Sequence, residues 1–248
     1  MKNESGFAKK LDSVLKRIRN SEIELQSEID PIGQLVLGLL EWESTHANAK
    51  NVFDRLLERM VDYNDLRVSH PQEIKAIIGQ RYPRADDRID RLLKVVQEIY
   101  IRQHAVLLDD LVRKSKKEAR AYLDSLPGMP PYVSAQVTLL CFSGHAMPVD
   151  EVLVELLRRE KVVDQEATLE QVQSFLERRV RASDAVDTHA LLRTWADANE
   201  PSLSESKSKT TKTTKTESQH STKKSTTKAS KTKKDSTSKT PSRRLAKK

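Results

Sequence analysis

Cysteine is almost missing from this sequence: its 248 residues include one, Cys141. A single thiol excludes an internal disulfide framework, a four-thiolate zinc site and a four-cysteine iron–sulfur cluster. Glycine occurs six times and aromatic residues make up 4% of the chain. Such scarcity argues against a β-rich fold or a glycine-looped dinucleotide fold. There is no GxGxxG, P-loop or HExxH pattern, so no metal or organic cofactor is expected. No apolar run reaches the roughly 18 residues that would span a bilayer, and no membrane partner is expected. The first residues, MKNESGFAKKLDSVLKRIRN, lack the apolar stretch of a secretory signal. The expectation is an intracellular protein in a reducing compartment.

Acidic residues are scarce at one end. Pro201 to Lys248 hold 13 Lys, 2 Arg and three acids (Glu205, Glu217 and Asp235), a net of +12. The whole chain has a formal net charge of +8, so residues 1–200 carry a net of −4. The segment repeats Ser, Thr and Lys and has almost no large apolar residue. It cannot bury enough surface to offset roughly 1–2 kcal/mol of backbone entropy per residue, and it is expected to be disordered. One reading is a solubilising tail. The other is a polyanion-binding arm, with Lys223, Lys224, Lys233 and Lys234 among its phosphate contacts.

The remaining 200 residues read as all α. Apolar residues recur at three and four in FAKKLDSVLKRI, PIGQLVLGLL, NVFDRLLERMV, RIDRLLKVVQEIYI, VDEVLVELLRR and LEQVQSFLERRV. Asp30-Pro31 and His70-Pro71 place proline in a first helical turn. Thr168 and Gln171 have capping-box spacing.

One segment departs from this pattern: ARAYLDSLPGMPPYVSAQVTLLCFSGHAMPVDEVLVELLRR. A helix ending at Leu126, a turn at Pro127-Gly128 and a new helix near Pro131 make a helix–hairpin–helix. Such a hairpin points N–H groups outward ahead of a helix N-terminus, an arrangement suited to phosphate. Asp150 follows at the start of a third helix, where the dipole favours its ionised form.

These residues resemble the helix–hairpin–helix DNA glycosylases, endonuclease III among them. Leu126-Pro127-Gly128-Met129 matches the start of the family's hairpin. Tyr132 stands where the lyases of the family have a lysine, and Val149-Asp150 falls at the family's spacing after it. The resemblance covers residues 30–197 and implies an all-α, bilobal body with a basic tail. The implied divisions are 1–29, an N-terminal helix packing with the second lobe; 30–145, a six-helix lobe; 146–200, completing the second lobe; and 201–248, the tail. It implies double-stranded DNA, damaged or mismatched, as partner to a monomer, hence a cytoplasmic, nucleoid-associated or nuclear place. It implies base release with Asp150 stabilising the sugar cation, and Gly128, Met129, Trp42 and Glu43 at the DNA.

The departures are specific. A phenol cannot form the Schiff base of a lyase, so Tyr132 implies a monofunctional glycosylase. Pro130 and Pro131 remove hairpin N–H groups. Glu43 puts a carboxyl where the family inserts a glutamine into DNA. Trp42 reads either as a base-stacking residue or as core. A VDTH at Val186–His189 lies too far along the chain to supply the catalytic acid, so Asp187 is expected in a helix and His189 in packing. Two functional readings stay open beside that of an unrelated helical interaction protein. They are a base-excision glycosylase without lyase activity, and a catalytically degenerate DNA-binding descendant.

Overall fold

The structure, a computed structural model, describes residues 4–19 and 30–199. The chain divides into two units, Met1–Ser206 and Lys207–Lys248, and all described residues belong to the first. The expectations for 201–248, including Lys223, Lys224, Lys233 and Lys234, therefore lie outside the described residues.

The described chain is all helix and loop. Its helices are α1 (Glu4–Ile18), α2 (Pro31–Glu41), α3 (His46–Arg59), α4 (Tyr63–Val68), α5 (Pro71–Ile78), α6 (Ala85–Gln103), α7 (Lys116–Asp124), α8 (Pro131–Cys141), α9 (Glu151–Arg159) and α10 (Leu169–Arg179). A last helix, α11, runs over 185–199. The starts follow local chemistry. Asp30 accepts from the Gly33 N–H ahead of Pro31, and Thr168 and Gln171 close a capping box. His70 was legible only as the residue before a proline, yet its ring nitrogen caps α5 by accepting from the Gln72 N–H.

Two hydrophobic cores form. The first gathers α2 to α8 around residues such as Leu35, Leu39, Phe53, Ile74, Leu92 and Val96. The second joins Phe7, Leu11, Val14 and Ile18 of α1 to Val149, Leu153, Leu157, Phe175 and Leu192. Helix α8 serves both, with Val133 and Val137 in the first and Ala135 and Leu139 in the second. A helix apolar on every side is one buried on every side, and residues 132–139 are all buried. Tyr132 lies on this shared helix, and Asp150 opens the helix that follows it.

Candidate functional site

Helix α7 starts with a Ser115–Glu118 capping box and ends at Asp124, two residues before the expected Leu126. The turn then closes with the Met129 N–H donating to the Leu126 carbonyl at 3.2 Å. Gly128 has φ +84°, a left-handed conformation that costs glycine nothing. Its carbonyl accepts from Arg91 Nη1 at 3.1 Å. Met129 thus spends its N–H inside the turn, and Pro130 and Pro131 have none. The nearby cations are paired as well. Arg91 meets Asp87 at 3.0 Å, Lys94 meets Asp90 at 2.7 Å, and Arg102 meets Glu98 at 2.7 Å. This surface has little uncompensated positive charge to offer a phosphate.

Trp42 is half-buried against the first core, under the guanidinium groups of Arg84 and Arg91 at 4.4 and 5.0 Å from its ring. Glu43 follows with φ +54°, a strained conformation for a non-glycine residue, costing about 1 kcal/mol or more. Its side chain pairs with Arg84 at 2.7 Å. Its backbone N–H donates to Asp150. The strained backbone of Glu43 is thus coupled to the aspartate.

Asp150 is the N-cap of α9, accepting from the Leu153 N–H at 2.9 Å. It is 1% exposed. The helix-dipole expectation alone is corrected here: burial pushes its pKa up, while Arg193 and the N–H groups of Leu153 and Glu43 act against that. Arg193 Nη1 lies 3.3 Å from Asp150 Oδ2. Arg193 Nη2 donates to the Ser44 carbonyl and, at 2.6 Å, to Asp197 Oδ1. Its Nε stands 3.5 Å from Glu41 Oε1, close enough for charge but without a hydrogen bond.

Glu41 ends α2 fully buried. Burial opposes its charge, yet His46 Nδ1 at 2.9 Å, the Arg193 charge and Gln136 Nε2 at 2.5 Å outweigh it, holding its pKa at about 2. Gly38 makes room one turn earlier, since a Cβ there would stand 2.5 Å from Gln136 Oε1. Tyr132 lies on the same face of α8 as Gln136, its hydroxyl 3.4 Å from Gln136 Nε2. Burial, then the Glu41 charge, raise the phenol pKa well above its usual value. His189 packs tilted on the Tyr132 ring at 6.4 Å. Burial lowers its pKa to about 4, so it is neutral at pH 7. Asp187 is exposed on α11.

These shifts predict the acid response. His189 is held below its ordinary value, so its stability contribution is complete above about pH 6.5 and is lost as pH falls toward about 4. Glu41 adds a contribution complete above pH 4.5 and lost toward about 2. Asp150 and Asp197, both raised, act in the opposite sense. Denaturant midpoints measured from pH 7 to pH 3 should fall, and Glu41→Gln should flatten the lower part of that curve.

Of this cluster the sequence reading singled out Asp150 and Tyr132, and not Glu41, Gln136, Arg193 or Asp197. A signal for two of them was present: Glu41 and Gln136 sit in helices apolar on every side, where a polar group needs a buried partner.

Among the described residues no helix is long and apolar enough to cross a membrane, and no cluster of three His, Cys, Asp or Glu side chains could hold a metal ion. No family model matches the sequence, and no curated protein does. Solved structures do match. Endonuclease III in a non-covalent complex with DNA has a TM-score of 0.61 at 18% identity, over 78% of this chain and 85% of that one. A thermostable thymine-DNA glycosylase gives 0.58 at 17%, over 78% and 88%. The 3-methyladenine DNA glycosylase of H. pylori gives 0.54 at 13%, over 82% and 98%. With two lobe-like cores meeting on α8, a hairpin at Leu126–Met129 and an aspartate capping the next helix, this chain has the helix–hairpin–helix DNA glycosylase fold.

Proposed function

We propose that the chain is a DNA N-glycosylase of the base-excision type, monofunctional and without lyase activity. The observation that carries this is Asp150, a buried carboxylate at the N-terminus of α9, one helix after Tyr132. The target nucleotide leaves the duplex and enters between the lobes. As the bond from C1′ to the base nitrogen breaks, its electrons leave with the base and C1′ gains positive charge. The Asp150 carboxylate stabilises that charge. Water attacks C1′ and loses its proton as the base takes one up. Tyr132 takes no covalent part: its phenol is buried and neutral, and it has no amine to form an imine.

The product should be intact abasic DNA, cut only after heat or alkali. Borohydride added during turnover should trap no protein–DNA adduct. An adduct that persists in Tyr132→Phe would mean that another residue is the nucleophile.

A second reading, a catalytically degenerate DNA-binding descendant, is favoured by one observation. Asp150 is 1% exposed and already faces a cation, Arg193. Base release from a duplex panel separates the two, since the descendant binds and releases nothing.

A further inference from the structure

The unexpected member of the buried cluster is Arg193. It is 9% exposed and comes from α11, yet it reaches Asp150 at the start of α9, the Ser44 carbonyl in the loop after α2, and Glu41 at the end of α2. We propose that Arg193 is a positioning residue of the Asp150 site, orienting the carboxylate and keeping it charged by serving as its resident counter-ion. This rests on the glycosylase reading, in which Asp150 acts as an anion.

The titratable groups around Arg193 and Asp150 come from several elements, Tyr82 in the loop before α6 among them. Glu41 comes from α2, Glu43 from the following loop, His46 from α3, the Tyr132 phenol from α8, Asp150 from the start of α9, and His189 and Asp197 from α11. Two nearly inaccessible carboxylates, Glu41 and Asp150, each lie within 3.5 Å of Arg193. Without a cation, buried neighbouring carboxylates cannot both ionise. His46 lies against Glu41, while Arg193 Nη1 faces Asp150 at 3.3 Å and is the cation the proposal assigns to it. A guanidinium suits the task because its nitrogens lie in a rigid plane. Nη1 faces Asp150, Nη2 holds the Ser44 carbonyl and Asp197, and Nε faces Glu41. Ser44 and Asp197 would keep Arg193 partnered when a sugar cation takes its place at Asp150. An ammonium has one charged point and cannot meet all these acceptors, so lysine should rescue only part of the effect.

The test uses the full chain with 13C-labelled aspartate. The Asp150 carboxyl resonance is identified by its loss in Asp150→Asn and followed against pH. In Arg193→Met the Asp150 midpoint should move to higher pH, and in Arg193→Lys it should move less. The acid limb of the pH profile for base release should shift with it, so that activity lost at neutral pH returns at higher pH. A purely structural Arg193 would lower the folded fraction without moving either midpoint. An unmoved Asp150 midpoint in folded Arg193→Met overturns the proposal, as does faster base release from that variant at neutral pH. Should Arg193→Met not fold, Arg193→Lys is read by the same two midpoints: an upward shift supports the proposal and no shift overturns it. The titration needs no DNA. A moved midpoint in a chain that releases no base therefore counts against the glycosylase reading alone.

Discussion

Removing residues 201–248 is expected to abolish most of the salt-sensitive DNA affinity of this protein. The segment carries 15 of the 44 basic residues and 3 of the 36 acids, leaving residues 1–200 at a net of −4. Within the body, the cations near the hairpin are spent on carboxylates, as Arg91 is on Asp87 and Arg102 on Glu98. The hairpin has no N–H donors at Pro130 and Pro131. Counterion release is then expected mainly from the lysine-rich segment. If about 6–10 of its cations engage phosphates at once, affinity should fall by roughly 10³–10⁵ between 50 and 200 mM salt. The truncated chain, 1–200, should bind weakly with a shallow salt slope, and the loss should be similar on every sequence. It should still fold, because both hydrophobic cores lie within the described residues. Equal slopes for the two chains would return the segment to a solubilising role.

Asp150→Asn is expected to slow base release by roughly 10²-fold or more, the scale of losing one electrostatic stabiliser. The change suits the site because the asparagine oxygen can still accept from the Leu153 N–H and keep the cap. What disappears is the negative charge that the proposed mechanism sets against the charge developing on C1′. DNA affinity should stay level or rise, since a charge of the same sign as phosphate has gone. Asp187→Asn should leave the rate unchanged, because Asp187 is exposed on α11. An inactive Asp187→Asn beside a fully active Asp150→Asn would relocate the site.

The helices were legible because their causes are local. Asp30 before Pro31, Thr168 three residues before Gln171, and the apolar spacing of Phe7, Leu11, Val14 and Ile18 all act within one or two turns. Tyr132 and Asp150 were singled out through the resemblance of the hairpin and the residues after it to the helix–hairpin–helix DNA glycosylases. The charge cluster was not, because its partners are remote in sequence. Arg193 meets Asp150 across 43 residues and Ser44 across 149, and Gln136 meets Glu41 across 95. Periodicity reports on neighbours at three or four residues, and such contacts here, Arg193 with Asp197 and Tyr132 with Gln136, read as ordinary helix pairs. Glu43 shows the same limit. Its place in the loop was legible, but neither its left-handed backbone, which aims an N–H at Asp150, nor its pairing with Arg84 could be read from composition or spacing.

Water-dependent base release through Asp150 is open to direct test. The most direct measurement is single-turnover incubation of the full chain and of Asp150→Asn with a panel of damaged and mismatched duplexes, half of each sample then treated with alkali. At least one duplex should be cut by the full chain only after alkali, and far more slowly by Asp150→Asn. Tight binding across the panel with no alkali-sensitive site in any duplex would contradict this and leave a DNA-binding protein with a glycosylase fold.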